Sequence, residues 1–442
     1  MDAREAALLA LNDCQRQGGW SDAILKKRLA SAGLDSRDGA LATQLCFGVL
    51  QNRLLLDFYL SHFSNLPLKR MEGRVVEALR LGAYQMLFLD KIPHSAAVNA
   101  SVELTRKHCK NPRAAGMVNG ILRNLERNLG GLPTVPQTDP VSYLSTLYSH
   151  PEWLVRELLT ALGSEETARL LAANNSQAPI TAMANTTQTT VEGLAEALAE
   201  EGVTAQPHPW LADCLILSKT GNLERLAAFR DGLFYVQDPA SKLAALALDP
   251  KPDMRVLDCC AAPGGKSFAC AIRMEGRGEV ISCDLHPHKK KLIQAGADRL
   301  GLENITPMTA DGKAFRPEWE SAFDRVLVDA PCSGLGVIRK KPDIRYKDPG
   351  PLADLPQVQR AILDNAARYV KPGGVLVYST CTLLRRENEE VALGFLKDHP
   401  DFQAEGFRLP EYAGDGRTGI LTLWPHRQGT DGFFIAKLRR GG

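Results

Sequence analysis

Six short apolar runs rich in valine, isoleucine and leucine recur along the second half of the chain. They lie at Arg255–Asp258, Glu279–Cys283, Ile305–Thr309, Arg325–Asp329, Val375–Ser379 and Phe433–Lys437. Runs of this length with no polar alternation suit strands covered on both faces, as in a parallel sheet. Between most of them the spacing turns helical, as in Lys289–Leu300 and Gln357–Val370. The pattern predicts a doubly wound, mostly parallel α/β domain over residues 233–442.

The first half reads differently. Val75, Leu79, Ala83, Met86 and Leu87 keep helical spacing, as do Met117, Ile121, Leu122, Leu125 and Leu129, so residues 1–130 predict an all-helical domain. Pro133, Pro136 and Pro140 mark a linker over 131–150. Residues 151–232 mix helical stretches (Trp153–Leu162, Glu165–Ala173, Val191–Glu200) with candidate strands Ile180–Ala184 and Cys214–Leu217, a small α+β domain.

The length of 442 residues fits several domains, and 44% hydrophobic with 24% charged residues is ordinary for a soluble protein. No apolar run approaches the roughly 20 residues that span a bilayer, and the start lacks a signal-peptide pattern. The ten cysteines include no Cys-x-x-Cys pair. A reduced, cytoplasmic monomer without a metal is expected. Residues 1–130 carry 18 basic against 12 acidic residues and the remaining 312 carry 35 against 39. That excess suggests a nucleic-acid partner, although solvated helix faces look the same.

Two thiols stand just past predicted strands, Cys332 in Asp329-Ala330-Pro331-Cys332 and Cys381 in Ser379-Thr380-Cys381. Carboxyl ends of parallel strands are where such sheets bind ligands, so both should face one crevice. A free cysteine is most often a small buried hydrophobe; a pair in this setting suggests nucleophilic chemistry. The first strand runs into Cys260-Ala261-Ala262-Pro263-Gly264-Gly265-Lys266, a small-residue turn that lets a ligand approach backbone and helix amides. It matches neither the dinucleotide nor the Walker pattern. Asp258, Asp284 and Asp311 end successive strands. Singly each could be a cap; together they suit a ribose diol and an adenine amine, hence S-adenosylmethionine.

A pyrimidine C5 becomes nucleophilic only after a thiolate adds at C6, and the scheme needs a nucleophile, a base and an acid near N3. Cys381, Cys332 and Asp329 supply those types. The turn after the fourth strand lacks the aromatic residue usual in amine methyltransferases, which favours carbon as the acceptor. Lys242, Arg339, Lys340, Lys341 and Arg385 are candidates to make the surround electropositive. Arg339, Lys340, Lys341, Arg345 and Lys347 are candidates to bind RNA phosphates, the alternative being a solvated loop.

Val256–Ser267, Asp329–Gly334, Tyr378–Thr382 with Glu387-Asn388-Glu389, and Trp424-Pro425-His426 with Thr430–Phe434 resemble the signature segments of the Sun/Fmu family of RNA cytosine-C5 methyltransferases. Ile92–Leu104 and Val118–Arg123 resemble its NusB-like RNA-binding domain. The resemblance implies a Rossmann-like catalytic domain and methyl transfer to small-subunit ribosomal RNA. It assigns attack on C6 to Cys381, product release to Cys332 and the cytosine edge to Asp329. It places Cys260–Lys266, Asp284, Asp311 and Asp329 around S-adenosylmethionine and Lys242 near the target base. Spacing alone does not decide which thiol attacks. Another RNA such as tRNA, DNA, or an RNA-binding factor with a vestigial pocket, are the rival readings.

Overall fold

The computed structural model describes residues 1–17, 21–410 and 414–442. They form two compact units, Met1–Ser176 with Ile338–Lys347, and Gln177–Val337 with Asp348–Gly442.

The first unit is helical. Its central helix, Gly73–Phe88, is buried continuously from Val75 to Met86, polar residues included. A five-position stripe therefore understates its contacts. Pairing makes burial of Arg80 and Glu77 tolerable: the Arg80 guanidinium pairs with both oxygens of Asp57 at 2.7 Å and with Glu77 at 2.6 Å. Gly82 lets this helix approach its neighbour, since a Cβ there would sit 2.5 Å from Leu122 Cδ1. The expected linker over 131–150 is corrected in part. Pro140–Tyr148 is a helix, because Asp139 caps its first amides and proline is favoured at the first helical position. Helices Glu152–Leu162 and Ser164–Asn174, expected within the small α+β domain, belong to this unit.

The second unit contains two sheets. Strands β1 (Ile180–Ala184), β2 (Thr204–Pro207), β3 (Cys214–Ser218) and β4 (Phe234–Val236) form an antiparallel sheet ordered β2-β3-β1-β4. With helices Val191–Glu200 and Ala227–Arg230 this is a β-α-β-β-α-β arrangement. β4 lies beyond residue 232 because its partner is β1, through Met183 and Tyr235.

The larger sheet contains β5 (Arg255–Asp258), β6 (Glu279–Asp284), β7 (Ile305–Thr309), β8 (Phe323–Asp329), β9 (Val370–Thr380), β10 (Phe402–Ala404), β11 (Ile420–Leu423) and β12 (Phe433–Arg440). Its order is β10-β12-β9-β8-β5-β6-β7, with β11 on β12. β5 to β9 pair in parallel and β12 is antiparallel to β9. Successive residues feed opposite cores: Val256, Leu327 and Val377 enter one, Leu257, Val328 and Tyr378 the other. The chain runs outward from β5 through β6 to β7, then returns to start β8 on the other side of β5. That reversal opens a crevice at the carboxyl ends of β5 and β8. Among the described residues no helix is long and apolar enough to cross a membrane.

Candidate active site

Asp258 ends β5 and Asp329 ends β8, so both acids stand at the crevice. Asp329 is in register with Ser379 of β9. Ser379 Oγ donates to Asp329 Oδ1 at 2.8 Å, and Lys266 Nζ lies 2.6 Å from Oδ2. Lys266 also sits 5.2 Å from the centre of the Phe433 ring. Burial opposes its positive charge, but Asp329 outweighs that and holds the ammonium above its usual pKa. Lys266 thus reaches from the small-residue turn into the neighbourhood of the thiols.

Three residues past Asp329 and two past Ser379, the sulfurs of Cys332 and Cys381 are 3.2 Å apart. A contact that short is a hydrogen bond in which one sulfur donates. The surroundings make the two sulfurs unequal. Cys381 is lowered, chiefly by the hydrogen bond from Cys332 and further by the charge of Lys266, against burial and Asp329. Cys332 is raised by the same hydrogen bond, then by burial and by the charges of Cys381, Glu387 and Asp329. The surroundings therefore favour ionisation at Cys381 and oppose it at Cys332.

The turn after β5 is tight and packed against the protein. Ala261 N–H donates to Cys283 O at 2.7 Å and Gly264 N–H to Ala261 O at 2.8 Å. Gly264 adopts φ +118° against the Phe268 ring, which a Cβ would meet at 2.3 Å. Helix Gly265–Arg273 follows, its first amides facing the turn. Burial and the carboxylates around it push the Cys260 thiol up, which disfavours its thiolate. Asp258 is buried; Ser267 Oγ donates to its Oδ2 at 2.8 Å while Oδ1 has no partner, and burial pushes the carboxyl up to about 7. Asp284, also buried, accepts from His286 N–H at 3.1 Å and lies 3.5 Å from Lys289 Nζ. Asp311 is exposed and accepts from Lys313 N–H at 3.0 Å.

The expected RNA contacts fare unevenly. Arg345 is fully buried in the first unit, where its guanidinium reaches Ser149 O at 3.1 Å and Asn175 Oδ1 at 2.7 Å. It is an internal strut, not a phosphate contact. Lys242 is also buried, its Nζ 2.6 Å from Asp213 Oδ2 and 3.4 Å from the Tyr235 hydroxyl, so its charge is spent inside the fold instead of on a base. Arg339 is buried, whereas Lys340 is half-buried and Lys341 exposed. Sequence reasoning missed Ser379 and Phe433. Ser379 lies near the end of β9 beside β8 and Phe433 begins β12 beside β9, and those strand-end positions were the available signal.

Comparison with known proteins matches the domains of the fold. A model described as 16S rRNA methyltransferase RsmB/F matches residues 245–439. The NusB family matches residues 1–127, and a ferredoxin-like domain of RsmF/B-like methyltransferases matches residues 150–224. The probable ribosomal RNA small subunit methyltransferase B of Bacillus subtilis is 42% identical over 449 residues, covering 99% of each chain. The ribosomal RNA small subunit methyltransferase B of Vibrio cholerae is 34% identical, covering 100% of this chain and 98% of its own. Among solved structures, PH0851 superposes with a TM-score of 0.81 at 26% identity over 99% of each chain.

Proposed function

The chain belongs to the 16S rRNA methyltransferase RsmB/F family, and from that premise we propose that it methylates C5 of a cytosine in small-subunit ribosomal RNA, with Cys381 adding to C6. The observation that carries this reading is the 3.2 Å contact between Cys332 and Cys381 beside the Lys266–Asp329 pair.

S-adenosylmethionine, when bound, supplies a methyl group on an electrophilic sulfonium. The residues fit such a molecule. The unpartnered Oδ1 of Asp258 is buried at the strand end, helix Gly265–Arg273 starts directly after the turn, and an acid ends β6 and another follows β7. Cys260–Lys266, Asp284 and Asp311 would hold it, with Asp329 at its edge.

Cys332 holds the Cys381 sulfur as a thiolate by hydrogen bonding, and Lys266 adds a cation nearby. The thiolate forms a bond to C6, and the electron pair displaced from the C5–C6 double bond makes C5 nucleophilic. Asp329 accepts from the cytosine amino edge, its geometry fixed by Ser379 and Lys266. After C5 gains the methyl group, loss of its proton to solvent in the crevice restores the double bond and breaks the C6–S bond, expelling the Cys381 sulfur as a thiolate that accepts the hydrogen bond of Cys332. Cys332 assists that release. The reacting carbon must be exposed on one ring face, so the target base is unpaired or extruded.

The test is tritiated methyl transfer from S-adenosylmethionine to unmodified ribosomal RNA, tRNA and DNA, followed by nucleoside analysis. Label in 5-methylcytosine of small-subunit RNA is expected. Label in tRNA alone would reassign the substrate, and label in none would leave an RNA-binding factor.

A further inference from the structure

Beyond the thiols lies a group of buried polar side chains to which the reaction above gives no part. Glu387 and Asn388 are adjacent, and both are buried to within 1%. Glu387 Oε2 accepts from Ser333 N–H and from Gln359 Nε2, each at 2.9 Å. The same Gln359 nitrogen donates to Pro331 O at 3.0 Å. Pro331 and Ser333 are the two neighbours of Cys332, so its backbone is held from both sides. Asn388 does the same for the other thiol. Its Oδ1 accepts from Thr380 Oγ1 at 2.5 Å, and its Nδ2 donates to Thr382 O at 3.0 Å. Thr380 and Thr382 are the two neighbours of Cys381. A further bond, Ser333 Oγ to Thr382 Oγ1 at 2.7 Å, ties the two clamped segments together.

We propose that Glu387 and Asn388 are positioning residues: one dipeptide, with Gln359, grips the chain on both sides of each cysteine and keeps the two sulfurs in hydrogen-bond contact. The proposal deepens the methyl-transfer reading and rests on it for its purpose, though not for its geometry. Two thiols on separate strand ends have no covalent reason to stay 3.2 Å apart, and a displacement of about 1 Å ends the hydrogen bond between them. Glu387 has a second effect. Its buried charge opposes ionisation of Cys332, which leaves Cys332 the donor and Cys381 the anion.

Glu387→Gln separates the two effects. The amide oxygen can accept both hydrogen bonds that Oε2 now accepts, and the amide nitrogen takes the place of Oε1, which has no partner. Asn388→Asp keeps the acceptor for Thr380 and loses the donor to Thr382. The readout is the pH dependence of iodoacetamide alkylation at each cysteine, resolved by peptide mass spectrometry on the full chain, together with kcat and KM. In the unmodified protein Cys381 should react at lower pH than Cys332. Glu387→Gln should narrow that gap by at least one pH unit. Asn388→Asp should raise the Cys381 midpoint and lower kcat at least tenfold with KM within twofold. Unchanged alkylation profiles in both variants would overturn the proposal even if methylation proceeds. A protein that methylates nothing yet shows the gap and its narrowing would overturn the methyl-transfer reading and leave the clamp standing.

Discussion

Asp258→Asn should remove a pH-dependent penalty that the fold carries at the cofactor turn. Asp258 is 1% exposed, its Oδ1 has no partner, and burial pushes its carboxyl up to about 7 from 3.8. A raised carboxyl pKa means the folded state binds the proton more tightly than the unfolded chain does. Its contribution is therefore fully favourable below about pH 4 and is lost as pH rises to about 7, after which it stays lost. A shift of about three units corresponds to ~4 kcal/mol, with a steepest slope of ~1.4 kcal/mol per pH unit. Asparagine keeps an acceptor for Ser267 and is neutral throughout. It places an amide where Oδ1 has no partner, which adds a constant cost of about 1–3 kcal/mol without pH dependence. The measurement is the opening free energy of peptides spanning β5 and β6, from hydrogen exchange corrected for intrinsic rates, between pH 4 and 8. The variant should lose ground to the wild type at pH 4 and gain on it by ~4 kcal/mol by pH 8. A wild-type-minus-variant difference that is flat with pH would refute the reasoning.

Cys381→Ala should abolish both transfer and any covalent RNA adduct, while Cys332→Ala should accumulate an adduct that survives denaturing electrophoresis; the reverse pattern would exchange the roles of the two thiols. Lys266→Met removes one partner of a largely buried ion pair and should destabilise the catalytic domain by about 3 kcal/mol, while moving Cys381 alkylation to higher pH. Arg345→Met should lower the stability of the helical unit by about 3 kcal/mol, since several carbonyls lose their donor. The salt dependence of RNA binding should not change, whereas a residue contacting a phosphate would reduce the slope by about 0.7 for a single strand.

What could be read from the sequence was what local pattern determines. The β5 to β9 runs are apolar enough to declare themselves, and a residue just past such a run has few places to go but the crevice. Lys266 was visible as part of a turn, but its ion pair was not, because Asp329 is 63 residues away. Arg345 shows the limit most clearly. In sequence it sits among Arg339, Lys340, Lys341 and Lys347, where any reading favours solvent and phosphates. In the fold its donors meet acceptors as distant as Ser149 and Asn175, 196 and 170 residues away, and those acceptors exist only once the helices have packed. Lys242 failed for the same reason, through Asp213. Pro140 failed for a different one: proline is compatible with both a linker and a first helical turn, and only the cap at Asp139 decides between them.

The thiol contact itself depends on strand register more than on either cysteine. Asp329 lies opposite Ser379 in the β8–β9 ladder, and the offsets of three and two residues from that pair bring the sulfurs together. A slip of one residue would carry Cys381 about 3.3 Å along the strand and turn its neighbours to the opposite face. Three features oppose such a slip. The pairing is irregular between Phe323 and Arg325, Ser379 is bonded to Asp329 at 2.8 Å, and Gly336 N–H returns to Cys381 O at 2.9 Å. The last of these needs glycine, since a Cβ at 336 would lie 1.9 Å from Gly432 O. The short motifs around the cysteines therefore do two jobs. They supply the sulfurs, and through Asp329, Ser379 and Gly336 they fix the register without which two thiols on neighbouring strands would be only neighbours.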